Sequence, residues 1–324
     1  MSVPRAGRVL VTGAGGFIGR ALCDRLAAAA IDHVGAVREL TAGDADRRDL
    51  VPMGDFAAAD WAPILAGVDT IVHLAGRAHV VSFRDASEPT PFVVANVHVT
   101  RRLLDAALAA GVRRVVLAST IKVYGEATPL GQPFRAGDPA HPEDAYAHSK
   151  LAAESLLWQA ADKGSLEGVV LRLPLTYGPG VKGNFLRLLD AIAAGRALPL
   201  RGIGNARTLL YVGNAVSAIE AAVATPALAG ETVPVADTES VSTSTLIERL
   251  ARELAVPPHL YRIPLPLMRS AAMLAGRRAM LARLVGSLEV DAGRLRELAR
   301  WTPPFTLEQG LRATAAWWKL RHSL

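Results

Sequence analysis

The segment Arg8–Gly19, Arg-Val-Leu-Val-Thr-Gly-Ala-Gly-Gly-Phe-Ile-Gly, restricts the fold more than any other part of this chain. Val9, Leu10 and Val11 form an unbroken apolar run, which suits a central parallel strand buried on both faces. Gly13, Gly16 and Gly19 follow at spacings of three, and Arg20–Ala30 continues as an Ala/Leu-rich helix. Strand, glycine turn and helix in that order make a phosphate-binding device. The glycines let the backbone approach a pyrophosphate, and the helix N-terminus offers free N–H groups and the positive end of its dipole. In a chain with 28 glycines the triplet alone has little weight; its place between strand and helix carries it.

Beyond this motif, strand and helix patterns alternate. His33–Val37 reads as a second strand ending at Arg38, Val51–Asp55 as a short third, and Asp69–Ala75 as a fourth closed by Gly76. Asn96 is expected to cap a helix Asn96–Ala110 that Gly111 ends. Arg114–Ser119 is a fifth strand, Thr128–Glu143 a Pro- and Gly-rich loop, Asp144–Ala161 a helix and Gly168–Leu173 a sixth strand. This order predicts an α/β fold, a doubly wound parallel (Rossmann) sheet. The pattern changes near Gly178: Val181–Ala194 reads as a helix and Leu198–Leu210 as extended segments. Val216–Ala224 and Thr232–Ala236 rejoin the sheet, and the remainder is a smaller, mostly helical part.

Two features of the pattern carry chemistry. Arg38 lies 19 residues past Gly19, where such folds meet the adenosine ribose. An acid there accepts from a free ribose hydroxyl, whereas an arginine can hold a 2′-phosphate, so NADP(H) is favoured and NAD(H) is the alternative. Tyr146 and Lys150 are four apart on one helical face. A lysine ammonium beside a phenol lowers its pKa and makes it usable as a proton donor or acceptor. His73, inside an apolar strand, reads as a packed core histidine.

The formal net charge of +6 raises nucleic acid as a partner, but arginine is dispersed and no basic run is interleaved with aromatics, so none is expected. The single cysteine, Cys23, excludes an intrachain disulfide and fits a reducing cytoplasm. The first apolar stretch belongs to the glycine motif, so no signal peptide is expected. Leu265–Leu288, interrupted by Arg269, Arg277, Arg278 and Arg283, is too charged to span a bilayer and reads as a packed amphipathic helix.

These residues together resemble the extended short-chain dehydrogenase/reductase family, nucleotide-sugar branch. That branch includes UDP-glucose/UDP-galactose 4-epimerase-like and 4-keto-sugar reductase proteins of bacterial polysaccharide clusters. The resemblance rests on Gly13/Gly16/Gly19, Asp55, Leu74-Ala75-Gly76, Asn96, Ser119-Thr120…Val123-Tyr124-Gly125, Tyr146/Lys150, Tyr177-Gly-Pro-Gly180 and Trp301-Thr-Pro-Pro-Phe305. It implies Thr120, Tyr146 and Lys150 as catalytic residues. It implies cofactor contacts from Phe17, Ile18, Asp55, Phe56, Leu74, Ala75, Gly76, Asn96, Pro174 and Tyr177, beside the glycines and Arg38. Lys122, Asn184, Arg207 and Arg283 are implied on a nucleotide-diphosphate sugar, a UDP-sugar by preference, and no metal is implied. Residues 1–178, rejoined by about 208–237, would bind the dinucleotide. Residues 179–207 and 238–324 would bind the nucleotide sugar, and a homodimer would form through the helices Asn96–Ala110 and Asp144–Ala161.

Two departures narrow the reaction. Ile121 and Lys122 stand where 4,6-dehydratases of the family carry Asp-Glu after the Thr, which argues against dehydration. Arg38 stands where NAD-retaining epimerases tend to have an acid; related reductases of the dihydroflavonol type carry an arginine there. The expected reaction is therefore hydride transfer at C4 of a nucleotide-linked hexose, reduction of a UDP-4-keto-sugar first and NAD-dependent UDP-hexose (UDP-glucose or UDP-N-acetylglucosamine) 4-epimerisation second.

Overall fold

The computed structural model describes residues 7–78, 91–164 and 166–322. Seven strands form one parallel sheet: β1 (Arg8–Thr12), β2 (His33–Val37), β3 (Leu50–Pro52), β4 (Val68–His73), β5 (Arg114–Thr120), β6 (Glu167–Leu173) and β7 (Glu231–Pro234). Their order is β3-β2-β1-β4-β5-β6-β7, with Val9 between His33 and Thr70 at the centre. The order reverses between β1 and β4, and such a switch point opens a crevice at the carboxyl ends of the strands. Leu10, Ile71, Leu117 and Leu171 are fully or almost fully buried, each contributing about 1.5–3 kcal/mol by leaving water.

The α-helices of eight residues or more among the described residues are, in chain order, α1 (Phe17–Ala28), α2 (Val99–Ala109), α3 (Ala145–Lys163), α4 (Gly183–Ala193), α5 (Val212–Ala224), α6 (Thr243–Leu254), α7 (Leu265–Leu274), α8 (Arg278–Val285) and α9 (Leu307–His322). Leu22 and Leu26 of α1 join Ala215 and Ile219 of α5 in one core against the sheet. Leu103 and Leu104 of α2 join Ala153 and Leu157 of α3 in a second core. Arg114, fully buried, donates to the carbonyls of Ala222, Val223 and Thr225 and so satisfies the C-terminus of α5. A third core gathers Tyr177, Phe185, Leu189, Ile247, Leu250 and Leu311 beyond the last turn of the sheet.

Several boundaries differ from the sequence reading for local reasons. β3 stops at Pro52 because Gly54 turns with φ 65° and the Asp55 carboxylate accepts from the Ala57 N–H. β4 stops at His73, where the next amide, Leu74, donates to the Thr12 carbonyl. The Leu265–Leu288 stretch is two helices, α7 and α8, broken at Gly276 with φ 65°. Asn96 does not cap a helix: it lies inside a π-helical turn, Val94–His98, that runs directly into α2. Such wide turns interrupt helices mostly where a side chain must be aimed.

Candidate active site

The crevice begins at the glycine turn. Gly13 has φ 71°, and a Cβ there would stand 2.7 Å from the Ala75 amide nitrogen. A Cβ on Gly19 would collide with the Gly13 carbonyl. The cradle therefore exists only with glycine at these positions. Gly16 precedes α1 with extended backbone, and the first turn of α1 has neither a side-chain cap nor an acid. Open N–H groups there, at Phe17 and Ile18, fit the pyrophosphate of a dinucleotide. Phe17 also packs against the third core and lies in contact range of Gly180, so the loop Tyr177–Gly180 meets the start of α1.

At the adenosine end, Arg38 follows β2 with its side chain exposed and without a hydrogen bond or ion pair among the described residues. Its carbonyl accepts from the Gly54 N–H, which brings the Asp55 turn beside it. Glu39, the next residue, is also exposed. Phe56 turns its ring into the second core against Trp61, with 5.2 Å between centroids. Tyr177 is likewise fully buried: its phenol donates to the Leu307 carbonyl at 3.3 Å, and its ring stacks on Phe185. The sequence reading placed both aromatics beside a cofactor; in the fold their side chains are core, because each is the largest apolar group at its turn.

A buried relay ties the glycine turn to the helix that carries Tyr146 and Lys150. The Thr12 hydroxyl accepts from the Ala75 N–H at 3.2 Å and lies 2.7 Å from His73 Nδ1. His73 Nε2 lies 2.9 Å from the Thr100 hydroxyl, which donates to the Asn96 carbonyl. The Thr100 hydrogen is thus committed, so Nε2 carries the imidazole proton and Nδ1 accepts from Thr12. Burial, helped by the Lys150 charge, pushes His73 down to about 3 and keeps it neutral. The Asn96 amide accepts from the Arg77 N–H and donates to the Arg77 carbonyl and to Ser149 Oγ on α3. Asn96 is buried, so it fixes the Gly76–Arg77 backbone against the helix that carries Tyr146 and Lys150.

Asp144 caps α3 by accepting from the Ala147 N–H at 2.7 Å. Tyr146 follows in the first turn and Lys150 one turn on. The sequence reading has the lysine drawing the phenol down. Burial instead pushes Tyr146 up to about 12, against a hydrogen bond from Thr120 and with the Asp144 charge adding to the rise. The reason is direction: Lys150 Nζ points toward Gly76, where an added Cβ would stand 3.8 Å from it. Lys150 is buried, and burial pulls its ammonium down to about 8, with Glu154 opposing.

Glu154 belongs to a buried cluster that the sequence reading does not contain. It accepts from Arg172 at 3.1 Å and 2.6 Å, one bond on each oxygen, and from Ser119 Oγ. Arg172 in turn covers the Tyr124 ring at 4.2 Å. Glu154 stands one turn beyond Lys150, so its spacing was the available signal. Its partner on β6 is visible only when the sheet is assembled.

On the other side of Thr120, Lys122 is held by Glu126 and Asp144, each at 2.7 Å. Arg283 reaches the same Glu126 at 2.9 Å, and Arg207 donates to the Arg283 and Gly286 carbonyls. The structure thus gathers Lys122 and Arg283 on two carboxylates, with Arg207 held on the Arg283 backbone beside them. Burial raises the Glu126 carboxyl, but hydrogen bonds from Arg283 and Lys122 outweigh it and leave it below its ordinary value. Asn184 lies exposed in the first turn of α4. Pro174 is buried directly after β6. Cys23, His33 and Asp49 approach one another at the opposite end of β2. There Arg47 engages both Asp49 oxygens and burial pushes the thiol up to about 12, which makes poor metal ligands.

A doubly wound sheet with a glycine cradle, and a Thr, Tyr and Lys converging beside its switch point, defines a short-chain dehydrogenase/reductase of the extended type. The chain belongs to the NAD dependent epimerase/dehydratase family, whose sequence profile matches residues 9–236. It is 35% identical over 311 residues to a UDP-glucose 4-epimerase of Vibrio cholerae, covering 95% of this chain and 94% of that one. It is 32% identical over 276 residues to a dTDP-6-deoxy-L-talose 4-dehydrogenase (NAD(P)(+)) of Kitasatospora kifunensis, covering 80% and 83%. The structure of MoeE5 in complex with UDP-glucuronic acid and NAD superposes with a TM-score of 0.78 at 27% identity, covering 98% of this chain and 100% of that one.

Proposed function

We propose that this protein reduces the C4 ketone of a nucleotide-diphosphate hexose, a UDP-sugar by preference, with NADP(H). The observation that carries hydride transfer over dehydration is the turn after Thr120. Ile121 is buried in the core there, Lys122 is neutralised by two acids, and both acids are engaged by cations. No free carboxylate is left beside Thr120 among these residues to remove a sugar proton. A nicotinamide cofactor supplies the hydride that C4 receives. Tyr146, pushed up to about 12, holds its proton at neutral pH and gives it to O4 as the ketone becomes an alcohol. The Thr120 hydroxyl donates to the same oxygen, and Lys150 holds the ribose hydroxyls. Arg207 and Arg283, with Asn184, take the diphosphate, phosphate replacing Glu126 on Arg283. On this reading residues 1–178 with about 208–237 bind the dinucleotide, the rest binds the nucleotide sugar, and the reaction is cytoplasmic.

The free guanidinium of Arg38 supports NADP(H), since it can form charge-assisted bonds to a 2′-phosphate. A second reading, an NAD-retaining 4-epimerase, is favoured by the 35% identity to the Vibrio cholerae enzyme and by the exposed Glu39 carboxylate. Fluorescence titration separates the two. NADPH should bind at least about tenfold tighter than NADH, about 1.4 kcal/mol, and Arg38→Asp should reverse the order. Tighter NADH, unchanged in Arg38→Asp, would put the epimerase first.

A further inference from the structure

The hairpin of α7 and α8 carries a second apolar face that the fold does not use. Met268, Ala272 and Leu265 turn inward to the third core. Leu267 and Leu274, seven residues apart and so on one helical face, point the opposite way and are 62% and 86% exposed. Met273 on the same helix and Met280 on α8 are 54% and 52% exposed. The segment itself is one-signed: no Asp or Glu occurs between Glu253 and Glu289, while Arg262, Arg269, Arg277, Arg278 and Arg283 do, and of these only Arg283 meets acids, Glu126 and Asp144 at the crevice. Arg262, Arg269, Arg277 and Arg278 are exposed and form no ion pair among the described residues.

We infer that this hairpin docks the protein on an anionic phospholipid surface, with Leu267, Leu274, Met273 and Met280 entering the headgroup region and the four free arginines meeting lipid phosphates. Large exposed apolar side chains and unpaired arginines on one segment that carries no acid of its own match such a surface in both polarity and charge. A protein partner would have to be as uniformly acidic as it is apolar. No helix among the described residues is long and apolar enough to cross a membrane, so the contact is peripheral. Arg278 and Arg283 lie on the same helix, about 8 Å apart along its axis, so docking sets the edge of the substrate crevice beside the lipid. The inference does not depend on which reaction the crevice performs.

Co-sedimentation of the full chain with vesicles tests it, comparing phosphatidylcholine alone with phosphatidylcholine containing phosphatidylglycerol. At low salt the anionic vesicles should bind at least about tenfold more protein, and added salt should release it. Leu267→Glu with Leu274→Glu should cut binding by at least about tenfold, as should Arg277→Glu with Arg278→Glu, while activity on soluble substrate and thermal unfolding stay as in the wild type. Should the Glu pair disturb folding, Leu274→Ser gives the same test at a single exposed position. Three results would each overturn the inference: no binding to anionic vesicles, binding equal on both vesicle types, or variants that bind as wild type. A concentration-dependent dimer in vesicle-free solution, abolished by Leu267→Glu with Leu274→Glu, would also overturn it by assigning the face to a second copy of this chain.

Discussion

Tyr146 and Lys150 are set by opposite consequences of one burial. Burial keeps the phenol protonated and draws the amine down toward neutrality while leaving it a cation there. Tyr146→Phe removes the donor and keeps the ring. Turnover should fall by roughly two to four orders of magnitude with thermal unfolding nearly unchanged, as steady-state kinetics and calorimetry would report. Lys150, lowered to about 8, carries its ammonium below that pH and loses it above, so cofactor affinity should weaken as pH rises through about 8. Glu154 holds that value up, and Glu154→Gln should move the break to lower pH. It should also cost about 3–5 kcal/mol of stability, because Arg172 is left buried without its carboxylate. An unmoved pH profile in Glu154→Gln would leave Glu154 a packing residue only.

The elements deliver these groups through their ends. Asp144 both caps α3 and holds Lys122, so Asp144→Ala should lose about 1 kcal/mol of stability through the cap. It should also lower kcat more than a cap elsewhere would, because the turn bearing Tyr146 frays; comparison with Ser242→Ala, the cap of α6, gives the reference. The glycine spacing, the apolar runs of β1, β4, β5 and β6, and the Tyr146/Lys150 interval were legible in the chain because each depends on local periodicity. Asn96 was legible as important but not in its role, since the π turn that aims it is selected by Arg77 and Ser149, neighbours from other elements. That the rings of Phe56 and Tyr177 enter the cores was not legible, because a motif position does not say which way a side chain turns. Glu154–Arg172 and Glu126–Arg283 were illegible because sequence separations of 18 and 157 residues are closed only by the sheet and the hairpin.

Across the assembled chain, β1 and β4 open the crevice, α3 brings acid and cation to it, and α8 brings Arg283 from the far part of the sequence to meet Glu126. The proposed residues can serve reduction or epimerisation at C4, since both deliver hydride to C4; the two differ in whether the reduced cofactor is exchanged and consumed or kept and regenerated. Incubating the wild-type enzyme with a UDP-4-keto-hexose and NADPH carrying deuterium at the transferable position decides between them. One equivalent of NADPH should be consumed per sugar, and the deuterium should appear at C4 of a single product alcohol. Interconversion of two C4 epimers of a UDP-hexose without net cofactor consumption, and no deuterium at C4 from added NADPH, would contradict the account.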